Sequence, residues 1–282
     1  MRTSIIAVNL ALFVGLAISS RAWGQTVGYY TFSEGTPGNV ATGTGTVLDS
    51  SGNGFNGTPV DGPTYSSNVP VTTVPQTGAP DTASMHFSGS NLQSVFIPDN
   101  PAFQLTNSLT LEAYFNVAAT PNAGGLIIYR GDNRGGLDPY FLTVAPGPTL
   151  EFGSYDAANA LTSVTTPVPS LNKWYFAAGV LNGATGQMSL YLNGVLQSSI
   201  TTPNRPLGPL DPTQQPGLAI GALQSTFYGD FESFDGLIDD VRISNTALTP
   251  SQFLDATAVP EPASLSVLAI SSLGLLARRR KA

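Results

Sequence analysis

The chain has 282 residues, of which 10% are charged, with Gly 30, Pro 22 and no cysteine. The lack of cysteine excludes disulfide bonds, thiolate metal sites and a cysteine nucleophile, and the Gly and Pro content disfavours a helical protein. The net charge is −7, and Arg2, Arg21 and the run 278–281 hold most of the basic residues. The middle of the chain is therefore strongly acidic, which argues against nucleic acid as a partner.

The N-terminus has the features of a secretory signal peptide. Arg2 precedes a short apolar run over 5–18, and small residues stand at Ala22 and Gly24. A positive start, a short apolar stretch and small residues predict cleavage after Gly24. The alternative is an N-terminal membrane anchor, for which the apolar run is short. We predict a helical signal peptide over 1–24.

Short alternating segments predict strands along most of the remaining chain. In chain order they are 27–32, 83–88, 93–97, 109–117, 126–130, 140–144, 149–155, 173–180, 187–192, 195–197, 218–221 and 237–243. The clearest is 109–117, in which every second residue from Leu109 is apolar. Asn193-Gly194 stands between two alternating segments, which is a strong hairpin signal. The Pro/Thr/Val-rich segment 62–80 has no period and predicts an ordered loop or a ragged edge strand.

About a dozen short strands without a helical period predict an all-β, two-sheet antiparallel sandwich. One domain over 25–257 accounts for all of them. Residues 248–254 predict a single helical turn, with Thr249 as the cap and Pro250 first inside. No internal repeat divides the domain.

The C-terminal tail, 258–282, contains a Pro-Glu-Pro triplet, then an apolar segment and then a basic run. The apolar residues 263–277 would rise about 22 Å as a helix, short of a hydrocarbon core of about 30 Å. The sorting-motif residues are Pro260, Glu261, Pro262, Arg278, Arg279 and Arg280.

The order of these three parts resembles the PEP-CTERM sorting signal of Gram-negative bacteria. The resemblance implies export across the inner membrane, transient membrane anchoring and processing by an exosortase-type enzyme. It also implies delivery to the cell surface or to an exopolysaccharide matrix. An ordinary tail anchor is the alternative.

Several segments of the predicted sandwich resemble LamG-type concanavalin A-like lectin/glucanase domains. They are 49–54, 171–175, 188–194, 218–221 and 236–245. The resemblance implies a jelly roll of two curved sheets, often with one calcium ion at the rim. It implies binding or adhesion more often than catalysis.

Catalytic patterns are weak in this sequence. A glycoside hydrolase needs two carboxylates flanking one sugar bond, and on a strand this requires acidic residues two or four positions apart. Glu112 has no acidic residue at either spacing, and Asp239 and Asp240 are adjacent, so a regular strand points them to opposite faces. His86 is the only histidine. We therefore predict a protein without catalytic residues, with a glycoside hydrolase of the same fold as the less favoured alternative.

Two non-catalytic functions remain open. The first is a surface-sorted binding or adhesion module associated with extracellular polysaccharide. Tyr114, Tyr175 and Tyr191 fall opposite the predicted core residues of their strands and could stack on sugar rings. The second is a structural surface or matrix protein that binds no small ligand.

Calcium is the predicted metal, in a structural role. Carboxylates and carbonyls are the ligands that hard cations prefer, and Gly-rich turns let carbonyls converge. Asp49 and Asn53 in the early loop would meet Asp239 or Asp240 if the first and last strands are neighbours. The alternative is that the early loop is only an Asx turn.

The two aspartates of the last strand differ in their predicted surroundings. In a regular strand Asp239 shares the core face with Leu237 and Val241, so it would be buried and need a cation or a partner. Asp240 would share an exposed face with Arg242. Asp132, Asp138 and Asp156 are weaker candidates for a site at the loop rim.

Overall fold

The computed structural model describes residues 26–89, 92–119, 124–132, 134, 137–223 and 232–257. Their helical structure is limited to two 3₁₀ turns, Pro101–Phe103 and Pro250–Gln252, and all other regular elements are strands. None of the described helices is long and apolar enough to cross a membrane. The predicted signal peptide, sorting motif and C-terminal apolar segment lie outside the described residues.

Fifteen strands form the domain. They are β1 Thr26–Tyr30, β2 Thr58–Val60, β3 Thr64–Ser66, β4 Ser84–Ser88, β5 Ser94–Pro98, β6 Leu109–Val117, β7 Gly125–Gly131, β8 Tyr140–Ala145, β9 Thr149–Tyr155, β10 Leu161–Pro167, β11 Tyr175–Asn182, β12 Gln187–Leu192, β13 Val195–Thr201, β14 Gly217–Ile220 and β15 Asp235–Ser244. All pairings between them are antiparallel.

The strands form two sheets. The larger sheet has the order β13-β12-β11-β6-β15-β4-β3, with β1 also paired to β15. The smaller sheet has the order β10-β9-β8-β7-β14-β5-β2. The main hydrophobic core contains inward side chains of both sheets, such as Phe115 from the larger and Phe152 from the smaller. The predicted antiparallel sandwich is confirmed.

Strand β15 has two different neighbours along one side. Its first part pairs with β4, as far as Ile238 opposite Met85, and its second part pairs with β1, from Val241 opposite Tyr30. The exchange of neighbours leaves Asp239 and Asp240 between the two pairings. The last strand is therefore next to the first strand, as the predicted calcium site required.

The outer face of the larger sheet is also covered. A second apolar cluster contains Tyr29, Val74, Phe176 and Phe253, so the loop around Val74 and the C-terminal segment pack on this face. All nine residues of β6 are buried as a result. The residues of β6 that point away from the main core, Glu112 and Tyr114 among them, are buried because the sheet has contacts on both sides.

Candidate functional site

The outer face of the smaller sheet carries a groove with a cavity volume of about 190 Å³. Strands β7, β8 and β9 supply its floor, because the side chains that alternate with the core residues point to this face. The described lining residues are Gly124, Leu126, Tyr129, Asp138, Phe141, Thr143, Ala145, Glu151, Tyr155, Leu161 and Glu232. This volume is below that of sites that enclose a drug-sized molecule, about 300–1,000 Å³, so a ligand here would remain partly exposed.

Three aromatic side chains shape the groove. Phe141 pairs across the sheet with both Tyr129 and Gly153, and a Cβ atom at Gly153 would collide with the Phe141 ring. The glycine therefore lets this ring lie close to the sheet. The ring of Tyr155 is 6.3 Å from that of Phe141, at an interplanar angle of 40°. Leu161, 46% exposed, extends the apolar surface at the edge of the groove.

Three carboxyl groups, those of Asp138, Glu151 and Glu232, border the same aromatic surface. Burial raises the pKa of Asp138 to about 6, and the nearby negative charge of Asp132 adds to the rise although a hydrogen bond from Tyr129 opposes it. Burial and the charge of Asp138 also raise the pKa of Glu232. The Tyr129 hydroxyl donates to Asp138 Oδ1 at 2.6 Å, which fixes the orientation of this carboxyl group. No lysine or arginine is among the described residues that line the groove.

These residues combine flat apolar surfaces with strong hydrogen-bond acceptors. Small-ligand sites usually combine apolar surfaces with a few convergent polar groups, and this groove has a larger polar share than most. A pyranose or furanose ring matches it, because its C–H face can lie on an aromatic ring while its hydroxyl groups donate to carboxylates. The groove is therefore the candidate binding site.

The three tyrosines predicted to bind sugar do not form one surface. Tyr114 is 6% exposed and packs edge-on against Phe176, and Tyr191 packs against Phe253. Tyr175 lies on the other side of the sheet, with its ring 5.9 Å from that of Phe115 in the main core. The three tyrosines therefore do not share one sugar surface, because β6 and β11 are apolar on both faces and alternation alone does not identify the outer one.

The aromatic surface of the groove was missed by the sequence analysis. Its signal is visible in retrospect in the hairpin of β8 and β9. Phe141 and Thr143 alternate on β8, and Glu151, Gly153 and Tyr155 alternate on β9. One face of this hairpin is thus aromatic and acidic, while the other, with Leu142 and Phe152, is apolar and faces the core.

A second cluster of carboxyl groups lies on the larger sheet. Asp81, Asp239 and Asp240 each place a carboxylate oxygen within 4.8 Å of the others, and all three residues are buried. The Tyr29 hydroxyl donates to Asp240 Oδ1 at 2.6 Å, and the backbone N–H of Asp240 donates to Asp239 Oδ1 at 2.9 Å. Asp81 lies just before β4 and was not among the metal ligands predicted from the sequence.

A β-bulge brings the two aspartates of β15 to one face. Asp239 lies opposite Tyr114 and Arg242 lies opposite Glu112, so two residues of β15 face the single residue between these partners. Asp240 has φ +48°, in the left-handed region. The predicted inward position of Asp239 was therefore wrong, since it shares the outer face with its cross-strand partner Tyr114.

Arg242 forms a different pair from the one predicted. Its Nε donates to Glu112 Oε2 at 2.6 Å, and both side chains are buried. The predicted exposed pair between Asp240 and Arg242 was wrong, because Asp240 is 1% exposed and its Oδ1 accepts from Tyr29. Glu112 is likewise an ion-pair partner and not an isolated acid.

The early loop is held by hydrogen bonds of its own. Asp49 Oδ1 accepts from the backbone N–H groups of Tyr29 and Ser51, and Oδ2 accepts from that of Phe55. The Asn53 amide is exposed and donates to backbone carbonyls of β1. The structure groups Asp239 and Asp240 with Asp81, and Asp49 is not in that group.

The other aspartates considered for a loop-rim site have separate surroundings. Asp132 forms an ion pair with Arg134 at 2.6 Å, and Asp156 accepts backbone hydrogen bonds within its own turn. Asp138 lies in the groove. His86 is exposed.

Together, the two packed sheets and the aromatic groove define a lectin-like jelly-roll domain. The family model described as "Concanavalin A-like lectin/glucanases superfamily" matches residues 88–253. The chain belongs to this superfamily. A PEP-CTERM protein-sorting motif matches residues 258–281 and indicates sorting through the export pathway to the cell surface.

Solved structures share the fold at low sequence identity. The binding domain of Paraclostridial Mosquitocidal Protein 1 aligns with a TM-score of 0.58 and 14% identity, over 83% of this chain and 52% of that one. The botulinum neurotoxin serotype D ligand binding domain, in complex with N-acetylneuraminic acid, aligns with a TM-score of 0.53 and 15% identity, over 82% and 50%. The chain thus spans about half the length of these toxin domains.

A third structure matches along nearly its whole length. Domain 4 of AbnA, a GH43 extracellular arabinanase from Geobacillus stearothermophilus, was solved in complex with arabinotriose. It aligns with a TM-score of 0.55 and 18% identity, over 83% of this chain and 98% of that one. No curated protein matches the chain.

Proposed function

We propose that this protein is an exported carbohydrate-binding module that is sorted to the cell surface and associates with extracellular polysaccharide there. The groove on the smaller sheet carries the proposal. It places Phe141 and Tyr155 beside three carboxyl groups in an open groove of about 190 Å³. The module binds glycan without cleaving it.

The sorting part of the proposal rests on the C-terminal motif. The PEP-CTERM match over 258–281 supports an exosortase-type enzyme as a processing partner. Transient anchoring in the inner membrane of a Gram-negative bacterium, followed by release to the surface or matrix, would place the domain among polysaccharides. The signal peptide proposed over 1–24 supplies the export step.

Two of the similar structures support a sugar as the ligand. Their titles describe complexes with N-acetylneuraminic acid and with arabinotriose. The acidic lining of the groove favours neutral sugars over anionic ones, because carboxylates accept hydrogen bonds from hydroxyl groups and repel other carboxylates. Arabinan and other neutral oligosaccharides are thus the first ligands to test.

The binding test uses a glycan array followed by calorimetric titration of the purified chain with the best-retained oligosaccharide. Replacing either Phe141 or Tyr155 by alanine removes one stacking surface, worth about 0.5–1.5 kcal/mol beyond its contact area. We expect each substitution to weaken binding by about 2- to 10-fold. Tyr191→Ala is the matched control, because Tyr191 packs against Phe253 on the opposite sheet.

The outcomes separate the candidate functions. If no glycan is retained at millimolar concentration, the chain is a structural surface or matrix protein and the proposal fails. Equal weakening by Tyr191→Ala and Phe141→Ala would move the binding site away from the groove.

A glycoside hydrolase is a second candidate, because Asp138, with a pKa of about 6, shares the groove with Glu151 and Glu232. An acid with a raised pKa beside a second carboxylate is the arrangement that sugar hydrolysis requires. Release of reducing sugar from a retained glycan, abolished by Glu151→Gln, would establish the hydrolase and overturn the non-catalytic proposal.

A further inference from the structure

The most unusual polar site of the described domain is the buried acidic cluster of Asp81, Asp239 and Asp240. It occupies the place where β15 changes neighbours from β4 to β1. The exchange interrupts the backbone pairing on that side, and the bulge directs both aspartates of β15 to the outer face. Asp81 approaches from the loop that precedes β4. The site is thus formed where β15 exchanges its neighbour β4 for β1, at the bulge of β15 and beside the loop before β4.

Four carboxylate oxygens of the cluster make no hydrogen bond of good geometry, although Asp81 and Asp239 lie close enough to share a proton. They are Asp81 Oδ1, Asp81 Oδ2, Asp239 Oδ2 and Asp240 Oδ2. Asp239 and Asp240 are 0% and 1% exposed, so water does not replace the missing partners at the protein surface. A buried, unpaired carboxylate costs several kcal/mol, and three of them within 4.8 Å repel one another in addition.

The positive charge of Arg242 acts on Asp240 but only partly offsets the cluster. Arg242 donates from Nε to Glu112 and from its Nη2 to the Gln252 carbonyl oxygen, so these donors are directed to other partners.

We propose that Asp81, Asp239 and Asp240 bind one hard divalent cation, with Ca²⁺ as the expected ion. Their unpartnered oxygens fit a metal ion, which would supply the positive charge that the cluster lacks. Ca²⁺ binds carboxylate oxygens in a flexible geometry, whereas Mg²⁺ demands a near-octahedral set and gives up its water reluctantly. A softer ion such as Zn²⁺ prefers nitrogen and sulfur ligands, and the chain has no cysteine.

The proposed ion lies at Asp81, Asp239 and Asp240, and the early loop with Asp49 does not bind it. Both carboxylate oxygens of Asp49 already accept hydrogen bonds from backbone N–H groups. Those of Asp81 do not. The ion would connect the segment before β4 to the last strand, and with it the loop around Val74 that covers the outer face of the larger sheet.

Terbium luminescence provides a direct test in the purified full chain. Tb³⁺ occupies Ca²⁺ sites and is sensitised by a nearby aromatic ring. The Tyr29 hydroxyl is hydrogen-bonded to Asp240, so its ring lies beside the proposed ion. We expect tyrosine-sensitised emission that titrates to one ion and is displaced by Ca²⁺ more readily than by Mg²⁺.

Three isosteric variants locate the site. Asp81→Asn and Asp239→Asn should each weaken Tb³⁺ binding by more than about 10-fold. Loss of a residue that only supports a metal ligand already costs about 10- to 100-fold. Asp49→Asn is the matched control and should leave the affinity unchanged. Loss of binding in Asp49→Asn with retention in Asp81→Asn would overturn the proposal, as would the absence of sensitised emission from the wild-type protein.

Thermal unfolding with Ca²⁺ and with EGTA supplies a second readout that does not depend on luminescence. Ca²⁺ should raise the wild-type midpoint and should not change that of Asp239→Asn. In EGTA, Asp239→Asn should unfold at a higher temperature than the wild type, because the substitution removes an unpaired buried charge. A wild-type midpoint that is the same in Ca²⁺ and EGTA would contradict the proposal.

Discussion

Removal of Arg242 tests how the C-terminal segment is held on the larger sheet. Its guanidinium group bonds Glu112 at 2.6 Å and the Gln252 carbonyl at 2.7 Å. Glu112 also accepts from the backbone N–H of Leu254 at 2.9 Å. Arg242→Met keeps most of the apolar stem but leaves the fully buried Glu112 without a counterion.

The expected loss of stability is large. Breaking a buried ion pair by removing one partner costs about 3–5 kcal/mol, because the remaining charge is buried and unpaired. For a domain of this size each kcal/mol lowers the melting temperature by about 2–4 °C. We therefore expect the midpoint of Arg242→Met to fall by about 6–20 °C in differential scanning calorimetry.

The pH dependence identifies the cause of this loss. Burial raises the pKa of Glu112, and the positive charge of Arg242 opposes the rise. Without Arg242 the folded-state pKa rises further. A raised folded-state pKa gives stability that is present at low pH and lost as the pH increases through it. The deficit of Arg242→Met should therefore be smallest below pH 4.5, the ordinary pKa of a glutamate, and widen toward neutral pH.

A double variant provides the control. Glu112→Leu combined with Arg242→Met removes both charges, so it should be more stable than Arg242→Met alone. A deficit of less than about 1 kcal/mol in Arg242→Met, or one that is the same at acidic and neutral pH, would refute the assigned role of this ion pair.

Two further predictions concern the core and the groove. Gly179→Ala on β11 would place a Cβ atom against the ring of Phe152 in the smaller sheet. We expect the free energy of unfolding in urea to fall by about 1–3 kcal/mol. An unchanged stability would contradict this contact. Asp138 has a folded-state pKa of about 6 against an ordinary value of 3.8, so the stability that it contributes falls as the pH rises through this interval. Asp138→Asn should remove that part of the pH dependence and raise stability above pH 6, and a pH profile parallel to the wild type would disprove it.

Local sequence patterns predicted the regular strands well. The strand predicted over 109–117 is β6, with the same bounds. The hairpin predicted at Asn193-Gly194 joins β12 to β13, and both residues have the positive φ that its turn requires, +49° and +72°. Segment 161–167, which alternates weakly and forms β10, was not predicted.

The two acidic sites depend on features that periodicity does not encode. A regular alternation assigns Asp239 to the core, and only the bulge at Asp240 reverses this assignment. Asp81 follows a segment without any period, and its position depends on how that loop crosses the sheet. Tertiary placement of a loop and a local change of register are both decided by contacts distant in sequence.

The described chain leaves the domain on the face opposite the groove. Phe253 is inserted beside Phe176 and Tyr191, and Leu254 is hydrogen-bonded to Glu112 on the larger sheet. A domain tethered through residues beyond Thr257 would therefore turn the groove away from its tether. With a polymer held in the groove, a pull on that tether would pass from the C-terminal segment into β6 and β15 and across the core to β8 and β9. The packing between the two sheets would then carry the tension between anchor and polymer.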